Sequence, residues 1–120
     1  MSQPFHVIVA EDDALVAVTV AEALESHGYR VTIGRNGFDA IKIDQADPAD
    51  VLITDIRMPH VDGTTLISRM RELRPELPIL VTTGYSERLP QEEPGQLVVV
   101  QKPFSDGAII KNVKALLGIG

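Results

Sequence analysis

The chain holds 120 residues, which fits one domain core and leaves no room for a second. Eleven Lys and Arg against seventeen Asp and Glu give a net charge of −6, so direct binding to nucleic acid or to an anionic membrane surface is not expected. An apolar fraction of 44% excludes a disordered chain, the absence of cysteine excludes disulfides and thiol chemistry, and with neither a signal-peptide pattern nor an apolar run near the ~20 residues that span a bilayer, the expected compartment is the cytoplasm.

Short apolar or β-branched runs alternate with helical patterns along the chain, as they do when a parallel sheet is covered on both faces. The first strand is expected over residues 5–10. Val16, Val20, Ala23, Leu24 and His27 then fall on one face of a helix that Gly28 stops. A second strand over residues 29–34 is followed by a helix capped by Asn36 and running to about Ala46, where Asp47-Pro48 breaks it. The third strand, residues 51–54, leads to a helix opened by Asp62-Gly63, with Leu66, Ile67, Met70 and Leu73 on one face and Arg74-Pro75 closing it. The fourth and fifth strands are expected over residues 78–82 and 97–100. Ser105 is the expected N-cap of a last helix that buries Ile109, Val113, Leu116 and Leu117. Residues 86–96 carry Pro90 and Pro94, and Leu89 is their one large apolar side chain. An interior proline costs a helix about 3 kcal/mol, so a short, irregular connection is expected there, with a short helix after Pro90 as the alternative.

This alternation gives an α/β fold, a doubly wound five-stranded parallel sheet in the order 2-1-3-4-5, and such sheets bind ligands beyond the carboxyl ends of their strands at the switch point. In that order the first and third strands are neighbours about 4.8 Å apart, which puts Glu11 and Asp12 beside Asp55. Carboxylates that close repel by on the order of a few kcal/mol per pair, a penalty that a hard divalent cation removes, and Mg²⁺ prefers such oxygen ligands. Helix capping accounts for Asp13 and leaves Asp55 unexplained. Thr82 and Thr83 follow the fourth strand and Gln101-Lys102-Pro103 the fifth, at the same rim. A lone lysine before proline is ordinarily a solvated residue, and a lone threonine at a strand end ordinarily satisfies local backbone. Together, a metal, a carboxylate nucleophile, a hydroxyl donor and a fixed positive charge are the parts with which phosphoryl transfer holds spreading negative charge.

Four strings at these strand ends carry a resemblance. Val7-Ile8-Val9-Ala10-Glu11-Asp12-Asp13, Asp55-Ile56-Arg57-Met58-Pro59 followed by Asp62-Gly63, Val81-Thr82-Thr83-Gly84 and Lys102-Pro103-Phe104 together resemble the response-regulator receiver domain of two-component signalling, over essentially the whole chain. The resemblance implies a flavodoxin-like receiver fold, a single receiver domain over residues 1–120 without an output domain, and signalling by protein contact. It implies that Asp55 accepts a phosphoryl group. Mg²⁺ would be held by Asp12, by Asp55, by Glu11 directly or through water, and by the backbone carbonyl of Arg57. Thr83 and Lys102 would each bind a phosphoryl oxygen, while Arg57 and Tyr85 would tune the lifetime of the acyl phosphate. The donor would be a phosphohistidine on a histidine kinase or a histidine phosphotransfer protein, and the chain would be a phosphoacceptor with slow autodephosphorylation rather than an enzyme. That chemistry needs none of His6, His27 and His60, which are expected to be structural or solvent-facing.

Two departures from the family pattern strike the surface through which most receivers signal. Val99 stands where the family often has an aromatic switch residue, so the coupling of an inward-turning ring to the threonine cannot operate in its usual form. Thr83 and Lys102 are nineteen positions apart, which is short for the family. The Thr83-Gly84-Tyr85 string with a curtailed fourth helix is similar to receivers attached to hybrid kinases and to a subgroup of stand-alone receivers. A partner surface is expected on the first helix, where Leu15 and Val18 lie off the core stripe, and on Pro103-Phe104. The alternative reading is a small hydrolase that forms an aspartyl phosphate, similar to haloacid-dehalogenase-like phosphatases. It would need a second aspartate where Arg57 stands, and a cap insertion. A dinucleotide-binding module would need Gly-x-Gly-x-x-Gly where Glu11-Asp12-Asp13 stands.

Overall fold

In the computed structural model, which describes residues 4–58, 63–84 and 90–119, the five apolar runs pair as one parallel sheet of order β2-β1-β3-β4-β5. The strands are β1 (His6–Ala10), β2 (Arg30–Gly34), β3 (Val51–Asp55), β4 (Ile79–Thr83) and β5 (Leu97–Gln101). The three central strands are buried along their whole length, which is why each reads as a continuous apolar run. β3, β4 and β5 each extend one residue past that run, because Asp55 pairs with Thr82 and Thr83 with Gln101. A polar side chain at a strand end does not interrupt the backbone ladder.

The helices are α1 (Ala14–Glu25), α2 (Gly37–Ala46), α3 (Gly63–Leu73) and α4 (Asp106–Leu117). Successive strand side chains point to opposite faces, and this sorts the apolar residues into two cores. Val7, Val9, Val51, Ile53 and Leu80 pack with α1 and α4, while Ile8, Leu52, Ile79 and Val81 pack with α2 and α3. Three helices start on the expected caps: the Asp13 side chain accepts from the N–H groups of Leu15 and Val16, Asn36 from Asp39, and Ser105 from Ala108.

The structure corrects two of the predicted helix faces. α1 ends at Glu25, and Gly28, at φ +88°, takes the left-handed position that only glycine adopts without strain. His27 therefore lies outside the helix and is exposed, and the buried stripe is Ala17, Val20, Ala21 and Leu24, with Val16 and Ala23 only half-buried. Leu73, at the last position of α3, is exposed, and Leu77 closes that end of the core instead. His6 is buried and structural as expected, its ring nitrogens 3.1 Å from the Pro48 carbonyl oxygen and 2.8 Å from the Thr32 hydroxyl. His60 lies outside the described residues.

Residues 90–96 hold no helix, so the alternative after Pro90 is not found. Glu93 instead forms an antiparallel bridge with Leu97, with N–H to carbonyl distances of 2.9 and 2.8 Å in the two directions, and Gly95 turns the chain at φ +75°. β5, which follows at once, is an edge strand. Among the described residues, no helix is long and apolar enough to cross a membrane.

Candidate functional site

The sheet order sets the carboxyl ends of β1 and β3 side by side. Glu11, the first residue after β1, is tied there by its peptide N–H on the Gly34 carbonyl at 3.0 Å, and the Asp55 backbone is fixed by the next N–H, from Ile56 to the Thr82 carbonyl at 3.1 Å. Lys102 follows β5 and donates its own peptide N–H to the Thr83 carbonyl at 2.6 Å. In the period-two alternation of the strands, Glu11, Asp55 and Lys102 all fall on the α1/α4 side. Their side chains meet: Lys102 Nζ donates to Asp55 Oδ2 at 3.1 Å and to Glu11 Oε1 at 3.2 Å. The second oxygens are also held, Glu11 Oε2 by the Asp13 N–H at 3.1 Å and Asp55 Oδ1 by the Arg57 N–H at 3.3 Å. Asp12 stands exposed at the rim, and one carboxylate oxygen from each of Glu11, Asp12 and Asp55 lies within 4.8 Å of the others. Together with Arg57 and the buried Thr83, these residues line a cleft of about 440 Å³.

The structure adds Gly63 to this set. A Cβ at that position would overlap the Asp55 carbonyl oxygen and sit 2.6 Å from the Ile56 Cα, so the start of α3 can lie against the Asp55–Ile56 backbone only as glycine. The Gly63 N–H also donates to the Ile56 carbonyl at 2.9 Å. In the sequence, Asp62-Gly63 reads as a helix start, and nothing local reveals the close approach. Val99 is half-buried on β5 and packs against the α2/α3 core. Tyr85, Pro59 and Asp62 lie outside the described residues. Leu15 and Val18 are exposed, as expected. Leu15 also lines an apolar groove of about 570 Å³ with Val16, Pro103 and Phe104, and this groove shares Gly84 and Lys102 with the acidic cleft.

Three carboxylates facing one ammonium leave excess negative charge in a partly desolvated place. Burial, with help from the Asp55 charge, pushes the Glu11 carboxyl up to about 7 against the opposing pull of the Asp13 N–H and Lys102. Burial pulls Lys102 down, but its hydrogen bond to Asp55 and the charges of Glu11 and Asp55 outweigh this and raise it, so it stays protonated. A carboxyl whose folded value lies above its ordinary 4.5 binds its proton more tightly in the native state, so its contribution to stability falls as pH rises from about 4.5 to 7. Without divalent cations the protein is expected to melt several degrees lower at pH 8 than at pH 5. Glu11→Gln is expected to remove most of that difference. Melting curves in EDTA across this range check the point, and equal slopes in parent and variant would contradict it.

An all-oxygen donor set of three carboxylates, two of them already bridged by a cationic group, fits a hard divalent cation such as Mg²⁺. A doubly wound sheet with this cleft at its switch point, flanked by a threonine and a lysine, is the layout of a receiver. The family model described as the response regulator receiver domain matches residues 7–114, and the chain belongs to that family. It is a receiver domain of two-component signalling, a phosphoacceptor rather than an enzyme in the classical sense, which sets the hydrolase alternative aside. Members of the family bind a divalent metal at this acidic pocket, and membership implies a histidine kinase or phosphotransfer partner.

The response regulator receiver protein CpdR of Brucella abortus is similar to this chain, 33% identical over 115 residues that cover 93% of this chain and 96% of that protein. Response regulator MprA of Mycolicibacterium vanbaalenii is 30% identical over 117 residues, 95% of this chain but 51% of MprA. The chain thus spans about half the length of several curated relatives it matches. Among solved structures, the receiver domain of the hybrid histidine kinase CckA superposes with a TM-score of 0.80 at 26% identity, covering 93% of this chain and 98% of that one.

Proposed function

We propose that the chain takes a phosphoryl group from a phosphohistidine onto Asp55, loses it by slow hydrolysis, and acts as one receiver domain that signals by protein contact. An Asp55 carboxylate oxygen attacks phosphorus, the P–N bond to the donor imidazole breaks, and the imidazole leaves with its electron pair. Mg²⁺, held by Asp12, Asp55, Glu11 directly or through water, and the backbone carbonyl of Arg57, supplies charge neutralisation for the phosphoryl group. Lys102 exchanges part of its contact with the carboxylates for a phosphoryl oxygen, and the Thr83 hydroxyl donates to another. Arg57 and Tyr85, each two positions beyond a reacting or binding residue, tune the access of water and hence the lifetime. The donor, a histidine kinase or a histidine phosphotransfer protein, docks on α1 around Leu15 and Val18 and on Pro103-Phe104, where an apolar groove adjoins the cleft.

One observation carries this reading: carboxylates from two strands gather within 4.8 Å, and a lysine from a third strand bridges two of them. In acetyl phosphate and Mg²⁺ the parent chain is expected to gain about 80 Da, one phosphoryl group labile as an acyl phosphate, and Asp55→Asn to gain none. Intact-mass measurement decides. An unmodified parent, or an Asp55→Asn variant carrying the same adduct, would overturn the assignment.

A further inference from the structure

β5 is five residues long, pairs with a strand on one side only and meets on the other just the Glu93 bridge at Leu97, and among the described residues no helix lies between β4 and β5 to set where it begins. Its starting point matters at its far end. Strand positions are about 3.3 Å apart and alternate between faces, so a slip of one residue would carry Lys102 off the cleft and turn its side chain away.

The start of β5 is held by Arg71, which reaches it from α3. One terminal nitrogen of the guanidinium, Nη1, donates to the Leu77 carbonyl at 2.5 Å, and the other, Nη2, donates to the Gln96 carbonyl at 3.2 Å and to Glu93 Oε1 at 3.3 Å. One planar fork therefore ties the residues leading into β4 to those leading into β5. The Gln96 carbonyl also receives the Ile79 N–H at 2.8 Å, at the first rung of the β4–β5 ladder. The side chain is 20% exposed, and among the described residues its buried Nε has no partner, so the oxygens reached by its two terminal nitrogens orient the fork. A lysine would offer one point charge where the fork spans two carbonyls.

We infer that Arg71 is a positioning residue for the phosphoryl site: by fixing the first rung of the β4–β5 ladder it sets the register that delivers Lys102 to Asp55 and Glu11. The inference rests on the reading of Asp55 as acceptor. Register runs from the Ile79–Leu97 pair to the Thr83–Gln101 pair, and the Lys102 N–H closes on Thr83 just beyond it. Glu11, Asp12 and Asp55 follow from β1 and β3, whose mutual pairing does not involve this latch. Losing Arg71 therefore separates phosphoryl uptake, which needs Lys102, from Mg²⁺ binding, which does not.

The test compares Arg71→Met and Arg71→Lys with Arg74→Met, a control that removes the ion pair between Arg74, just past the end of α3, and Asp44 of α2. Each full chain, held well below its own Tm, is assayed for its initial rate of uptake from acetyl phosphate and for Mg²⁺ affinity by calorimetry. Arg71→Met is expected to slow uptake roughly ten- to a hundredfold, the cost of about 1 Å of misplacement, and Arg71→Lys to slow it by a smaller factor. Both are expected to bind Mg²⁺ at least as tightly as the parent, because a displaced Lys102 competes less for the carboxylates, and Arg74→Met to take up phosphoryl at the parental rate. Parental uptake by Arg71→Met, or Mg²⁺ affinity that falls in step with uptake, would overturn the inference, and if that variant does not fold, Arg71→Lys decides on the same two readings. A parent that takes up nothing would instead overturn the assignment of Asp55, and this inference with it.

Discussion

Lys102→Met is expected to slow phosphoryl uptake by roughly 10²–10³-fold, the usual cost of removing one preorganised donor from a developing anion, and at the same time to tighten Mg²⁺ binding by about tenfold or more, or about 1.4 kcal/mol. The two effects have opposite signs because the ammonium has two roles. Before phosphorylation it lies 3.1 Å from Asp55 Oδ2 and 3.2 Å from Glu11 Oε1, where it competes with a metal for the same oxygens, each contact being worth on the order of a few kcal/mol at an effective dielectric near 20. Methionine keeps the unbranched stem and removes the charge. The cleft then presents three carboxylates with no cation among the described residues bridging them, which favours a divalent ion. The phosphoryl group meanwhile loses the positive charge that should pair with one of its oxygens. Calorimetry with Mg²⁺ at pH 8, beside intact-mass kinetics, separates the two. Uptake at the parental rate would remove Lys102 from the chemistry, and a parallel loss of metal affinity would mean that the residue merely organises the cleft.

Gly63→Ala is expected to destabilise the protein by about 3 kcal/mol, the upper end of the ordinary range for overpacking, or roughly 10–15 °C in Tm for a domain of this size. The added Cβ would overlap the Asp55 carbonyl oxygen and lie 2.6 Å from the Ile56 Cα. Both are backbone atoms at the end of a central strand and cannot swing aside as a flexible side chain would. Either α3 lifts from the sheet or the end of β3 that carries Asp55 moves, so uptake should fall along with stability. Gly84→Ala is the control: among the described residues its Cβ would meet only the Lys102 Cδ, at 3.9 Å, an ordinary contact, and near-parental melting and uptake are expected. Thermal melts of the two variants side by side settle the contrast. Equal Tm values would mean that the α3 start tolerates the extra carbon and that the tight approach is not a constraint.

The parts of this molecule that were legible in the sequence are those where one residue type has one dominant local use. Asp13, Asn36 and Ser105 cap helices because a short side-chain acceptor can reach a free N–H of the first turn. The five strands show as apolar runs because both faces of the sheet are covered. Sheet order alone brings Glu11 and Asp12 to Asp55, since residues 44 apart such as Val7 and Val51 become partners when β1 and β3 pair. What stayed hidden depends on how closely elements approach. α1 turns its alanines, Ala17 and Ala21, to the core in place of Val16 and Ala23, because packing distance rather than hydrophobicity chooses the face. Gly63 reads as a helix start and Arg71 carries no local signal of its own, and only the fold shows one pressed against backbone and the other half-buried with its fork on loop carbonyls.

The fold-back of Glu93 onto Leu97 bears on how this domain behaves in crowded solution. An open flank of a sheet is a template on which another chain can add itself, and native proteins blunt such flanks with short strands, charge or a covering segment. Here the outward N–H and carbonyl of Leu97 are already taken by Glu93, and the half-buried valines 98 to 100 that follow form a stretch too short to recruit a neighbour readily. The bridging residue is itself anionic and proline follows it, both of which discourage fibrous stacking. The segment over residues 90–96, which holds no helix, thereby also guards β5 against self-templated aggregation.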